Sequence, residues 1–156
     1  MISAEFTVHK SEVYNEVAKT TSYTGIKMSG ADYERIFTTD EDRMMLERFF
    51  NEAANSLTDL FKPFLVSVSD TAPQHCIDLS HNYVVELELS SSYDEHLSGS
   101  IQSSMFSFFT NFIVGSWYKF TNKGEAEGYL GNAANFLLDI KSKLYFRKKP
   151  RRVTPA

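Results

Sequence analysis

The chain has 156 residues, 42% of them hydrophobic and 23% charged, and a formal net charge of −4. That size and balance suit one globular domain and exclude disorder throughout. One cysteine, Cys76, excludes an internal disulfide, and no stretch approaches the apolar length of a membrane span.

Aromatic residues are the compositional outlier at 14%, with 13 Phe and 8 Tyr. Each buries a large area. A small chain this rich in rings is expected either to fill its own core very well or to share apolar surface with other subunits. Charge is also uneven. Residues 147–152 read Arg-Lys-Lys-Pro-Arg-Arg, so five of the sixteen bases lie in six residues. The remainder holds eleven bases against twenty acids, an acidic body of −9 with a short basic tail. The N-terminus lacks the basic-then-apolar pattern of a signal peptide, and a reducing compartment is expected.

In chain order, Ile2, Ala4, Phe6 and Val8 alternate with polar residues, which gives a short strand or an extended arm. From Ser11 the period becomes helical (Val13, Tyr14, Val17, Ala18) and predicts a short helix to about Thr20 or Thr21. Thr38-Thr39-Asp40-Glu41-Asp42 reads as a helix start, with a capping box available to Thr38 and Glu41 or to Thr39 and Asp42. The helix it opens, about 40–61, carries Leu46, Phe49, Phe50, Ala53, Leu57, Leu60 and Phe61 on one stripe and is stopped by Pro63. Glu47, Arg48, Glu52 and Asp59 are expected opposite that stripe.

Tyr83, Val85, Leu87 and Leu89 alternate with Val84, Glu86, Glu88 and Ser90, which predicts a half-buried strand. Residues 76–79 are its expected hairpin partner, in a hairpin spanning about 73–92. A long helix is predicted from about Tyr93 to Phe120, aromatic on one face and small elsewhere. Asn122-Lys123-Gly124 is the predicted turn. A last helix runs from Glu125 to about Arg147, and its interior Gly128 and Gly131 predict a close helix crossing.

Candidate chemistry is sparse. His9, His75, His81 and His96 lack metal-ligand spacing, and His75 and Cys76 point to opposite faces if extended. No glycine-rich phosphate loop is present. The acids at 40–42 and at Asp94 and Glu95 sit at helix starts, where they are stabilising without catalysis. No catalytic residue, metal or other cofactor is therefore expected. The basic tail allows four readings: nucleic-acid attachment, contact with anionic lipid, docking on an acidic protein surface, or a solvated end favouring a helix dipole.

The fold expected is α+β and mainly α: a small helical bundle with a β-hairpin insertion and extended N- and C-terminal arms. It comprises a single domain over residues 1–146 and the basic tail 147–156. Interface candidates are Tyr83, Val85 and Leu87 on the strand and Phe109 and Trp117 on the long helix.

Three stretches, about half the chain, carry a resemblance. They are the acidic helix start at 38–42 running on to Phe61, the segment 108–120 ending Trp117-Tyr118-Lys119-Phe120, and the segment from Glu125 to the basic tail. Their order resembles the head–tail connector, or adaptor, proteins of tailed bacteriophages. The resemblance implies a non-enzymatic virion protein, assembled in the bacterial host cytoplasm. It would form a ring, often of twelve copies, that bridges portal and tail around the DNA channel, with non-specific DNA as a further partner. It also implies that Arg147, Lys148, Lys149, Arg151 and Arg152 contact an acidic partner surface. The extended N-terminus and the hairpin depart from the simplest all-helical adaptors. A cytosolic protein-binding adaptor and a small nucleic-acid-binding protein using the tail are the alternatives.

Overall fold

The computed structural model describes residues 1–26, 42–69 and 82–150. The N-terminal alternation forms strand β1 (Ile2–Val8), paired along its whole length and so not a free arm. Helix α1 (Lys10–Ile26) follows and is longer than the periodicity predicts. Helix α2 (Arg43–Phe61) ends where Pro63 requires, in a single 3-10 turn (Lys62–Phe64). The expected capping residues Thr38, Thr39 and Glu41 lie outside the described residues.

The turn feeds strand β2 (Leu65–Val68), which the sequence did not announce. Strand β3 (Tyr83–Leu89) has the predicted alternation, with Tyr83, Val85, Leu87 and Leu89 all buried. The expected partner at residues 76–79 lies outside the described residues. Instead β3 is the central strand of a three-stranded antiparallel sheet in the order β1-β3-β2. Ile2 faces Leu89 and Val8 faces Tyr83 on one side. Leu65 faces Leu87 and Val68 faces Val85 on the other, with an irregularity between Leu65 and Ser67.

The predicted start of the long helix at Tyr93 is displaced. Asp94 caps a 3-10 turn (Glu95–Leu97) by accepting the His96 backbone N–H at 3.1 Å, and helix α3 (Ser98–Thr121) begins after it. Tyr93 is buried and bridges to Arg147. The turn after α3 is Asn122 alone, so Lys123 and Gly124 already belong to helix α4 (Lys123–Tyr145).

α3 is the hub. It packs on α4, α2, α1 and β1, and half of its residues are buried, on more than one face. Rings fill the centre: Phe109 lies 4.7 Å from Phe50, 5.5 Å from Tyr83 and 6.0 Å from Phe108, centroid to centroid. The fold is thus α+β and mainly α, with a sheet in place of an inserted hairpin.

The close helix crossing is not where the glycines of α4 predict it. A Cβ at Gly128 or Gly131 meets nothing within 4 Å, so both face open space. A Cβ at Gly115 would lie 2.7 Å from Leu130 Cγ and 3.1 Å from the Leu130 backbone N. The small residue required for the α3–α4 approach is therefore Gly115. Gly128→Ala and Gly131→Ala are each expected to raise stability by up to about 1 kcal/mol. Gly115→Val is expected to lower it by about 1–3 kcal/mol through overpacking. Urea unfolding of the three variants measures this, and a stabilised Gly115→Val would refute the assignment.

Candidate partner-binding site

The five interface candidates do not form a surface. Tyr83, Val85, Leu87, Phe109 and Trp117 are each at most 8% exposed. The expectation fails for a topological reason. Flanking strands and a helical layer turn the apolar face of β3 into the core, and α3 is covered from several sides. Most of the aromatic surplus is therefore absorbed within the chain.

Of the large apolar side chains left exposed, Val66, Val68, Leu138, Tyr145 and Phe146 lie elsewhere, while Met44, Met45 and Phe120 gather at one cleft. The first turns of α2 and the last turns of α3 enclose an open cleft of about 490 Å³, lined by Met44, Met45, Arg48, Phe49, Glu52, Ser116, Lys119 and Phe120. Phe120 is 69% exposed and its ring stacks on the buried Phe49 at 6.4 Å and 15°. Met44, 70% exposed, and Met45 stand beside it. Unbranched methionines adapt to an incoming surface, and a large ring on the rim is a ready anchor. Arg48, 3.4 Å from Glu52, and Lys119 give the rim mixed charge. The stripe of α2 and the aromatic run of α3 signalled these residues as apolar. Their exposure depended on long-range packing that the sequence does not announce.

The basic segment is partly tied down. Arg147 pairs antiparallel with Tyr93, and the Lys148 N–H donates to the Ser92 carbonyl at 2.9 Å. Arg147 Nη1 also reaches the Leu144 carbonyl at 3.2 Å, as a cation at a helix C-terminus should. Lys148 and Lys149 are exposed and, with Ser92, Asp94, Glu95, His96 and Pro150, line a second cleft of about 680 Å³. Hydrogen bonds from the His96 side chain and backbone hold the Asp94 carboxyl below its usual range, with a smaller pull from Lys148. Arg151 and Arg152 lie outside the described residues.

Two polar clusters went unread in the sequence. Lys10 Nζ lies 2.5 Å from Glu47 Oε1, and Tyr14 donates to Glu47 Oε2 at 2.7 Å, all of it buried. Glu47 is thus not on the solvent face. It starts the row that continues through Phe50, Ala54, Leu57 and Phe61, and that spacing was a usable signal. In the second cluster Lys143 Nζ donates to Asp139 Oδ2 at 2.5 Å and to Ser100 Oγ at 2.6 Å, while Ser104 donates to Asp139 at 2.8 Å. The Lys143 hydrogen bond holds the Asp139 carboxyl below its usual range against the opposing effect of burial. The cluster clamps α3 to α4.

Among the described residues no group of three His, Cys, Asp or Glu side chains is placed to hold a metal ion. No described helix is long and apolar enough to cross a membrane. Burial pushes the Tyr83 hydroxyl up to about 12, with Thr58, 3.0 Å away, offsetting part of the shift. A raised folded-state pKa stabilises fully below the unfolded value of 10.0 and is lost as pH rises from there toward 12. Tyr83→Phe is therefore expected to remove about 2–3 kcal/mol of alkaline destabilisation across that window. Unfolding free energies of both proteins between pH 9 and 12 test it, and parallel curves would refute it.

No family model matches the chain, and neither a curated protein nor a solved structure does.

Proposed function

We propose that the chain is a structural subunit that works by protein–protein assembly, with the cleft around Phe120 as its principal contact. Together with the order of elements that resembles phage connectors, this supports a ring-forming head–tail connector. In that reading copies of the chain surround the DNA channel between portal and tail, within a virion assembled in a bacterial cytoplasm. The observation that carries the proposal is the exposed Phe120 ring stacked on Phe49 and flanked by Met44 and Met45, the most exposed Phe, Tyr or Trp ring among the described residues, where only Tyr145 and Phe146 are otherwise exposed. Solvent-facing apolar clusters of this kind mark interaction sites. The exposed Lys148 and Lys149 supply a second contact, to an acidic partner surface.

The test is Phe120→Asp. Phe120 is mostly exposed, so the variant should keep the wild-type circular dichroism and lose only the Phe49 stack, about 0.5–1.5 kcal/mol of stability. Light scattering and negative-stain electron microscopy should show rings for wild type, alone or with a portal protein, and none for the variant. A wild-type chain that stays monomeric in both settings sinks the proposal. Salt-dependent duplex binding that disappears on deletion of residues 147–156 would instead favour the nucleic-acid reading.

A further inference from the structure

Among the described residues β1 is an edge strand, and its outer side is only half closed. In an antiparallel ladder the N–H and C=O of one residue point the same way, and successive residues alternate. The Thr7 N–H donates to Gln102 Oε1 at 3.0 Å, and Gln102 Nε2 donates to the Thr7 carbonyl. Both backbone groups of Thr7 thus face away from β3. Val84, directly opposite, confirms the phase: its N–H and C=O are bonded to Ser69, on the β2 side. By the same alternation Ser3 and Glu5 present their backbone groups to the open edge. Among the described residues nothing bonds to them there.

Gln102, projecting from α3, acts as one peptide unit of an absent fourth strand. It closes the edge at Thr7 and leaves the next two ladder positions open. The packing shows the same boundary. Phe6 and Val8 are buried, whereas Ile2 and Ala4, on the same face, are only half-buried. An added strand alongside residues 2–5 would complete both the ladder and the cover of these two side chains.

The other face of the sheet supplies the chemistry. Glu5 stands directly opposite Glu86, with Glu88 two residues further along β3. Like charges facing each other across a ladder are destabilising. The hydroxyl of Ser3 donates to Glu86 at 3.2 Å, and no base lies on these strands. A cation brought to this face would be stabilised by all three carboxylates.

We propose that the β1 edge at Ser3 and Glu5 is a strand-addition site. It takes an extended segment of a partner protein that alternates apolar residues, against Ile2 and Ala4, with basic residues, against Glu5 and in the field of Glu86 and Glu88 one strand further in. Backbone pairing supplies affinity and the alternation supplies selectivity. A second copy offering its own β1 would bring further carboxylates to the acidic face, so charge favours a basic partner. The surface is separate from the Phe120 cleft and does not depend on it.

The probe is an acetylated, amidated heptapeptide alternating lysine and valine, titrated into the full chain. Two controls accompany it: the same peptide with alternate amides N-methylated, and one with glutamate in place of lysine. Saturable binding is expected, with slowed amide exchange at Ser3 and Glu5 and none added at Thr7, whose N–H is already bonded. N-methylation is expected to weaken binding about tenfold or more, the effect of losing one or two hydrogen bonds. The glutamate peptide should bind more weakly still, and high salt should weaken the lysine peptide. Ser3→Pro removes the outward N–H and, with it, the exposed hydroxyl bond to Glu86, so it should stay folded with a slightly lower Tm and lose binding by about tenfold. No binding, or binding indifferent to N-methylation, overturns the proposal. Concentration-dependent protection of Ser3 and Glu5 without peptide would assign the edge to a second copy and overturn the basic partner.

Discussion

Phe109→Ala is expected to lower the unfolding free energy by about 3–5 kcal/mol while leaving any assembly that still folds at its wild-type mass. Phe109 is fully buried at the meeting point of three elements, against Phe50 of α2, Tyr83 of β3 and Phe108 of its own helix. Truncation removes the transfer energy of the ring and leaves a cavity whose lining is itself rigid and aromatic, so collapse recovers little. Each lost ring pair removes about 0.5–1.5 kcal/mol beyond the area term. Domains of this size are stable by roughly 5–15 kcal/mol, so the loss is a large fraction of the total. Trp117, the sole tryptophan and nearly buried, reports unfolding by fluorescence. The sequence alone made Phe109 an interface candidate, which predicts the opposite pattern: smaller assemblies and an unchanged monomer. A loss under about 1 kcal/mol, or a change of mass without a change of stability, would restore that earlier assignment.

The contrast between Phe109 and Phe120 shows where sequence reading ends. Both are phenylalanines on an apolar face of one helix, and the sequence alone singled out Phe109, the buried one, for an interface. One faces the sheet and α2. The other lies on the last turn, stacked on Phe49 of α2 with its other side open. That difference depends on long-range packing. The strand β3 was legible because seven residues of strict alternation specify both its type and its inner face. Its place as the central strand was not, because β2 is only four residues long and one-sidedly apolar patterns need more length to stand out. α2 was legible from its stripe. Glu47, at the head of a buried row, was misassigned because its charge outweighed its spacing. Gly128 and Gly131 misled for a related reason. Glycine in a helix marks a backbone that tolerates lost propensity, and only the neighbour at Gly115 shows where lost bulk is required.

Breaking the Lys10–Glu47 pair from one side is the second large effect expected. Lys10 opens α1, and Glu47 lies in the second turn of α2. The ammonium sits 2.5 Å from Glu47 Oε1 and 5.0 Å from the Phe50 ring centroid. Tyr14 holds the other carboxylate oxygen, and the Lys10 backbone N–H donates to Asn82 Oδ1 at 3.1 Å. One small cluster therefore fixes α1, α2 and the approach to β3 in a single register. Removing one partner strands the other charge in a dry site, which costs about 3–5 kcal/mol. Lys10→Met and Glu47→Met are each expected to lose that much in urea unfolding. The double variant is expected to recover to within about 1–2 kcal/mol of wild type, because a well-packed apolar pair avoids the desolvation penalty altogether. The coupling, several kcal/mol, separates a genuine buried ion pair from two side chains that merely fill space. Losses that add in the double variant would show that the two residues act independently. If coupling is found, the pair's main contribution is alignment: apolar side chains tolerate a slide of α1 along α2, whereas this pair satisfies its charges at one offset only.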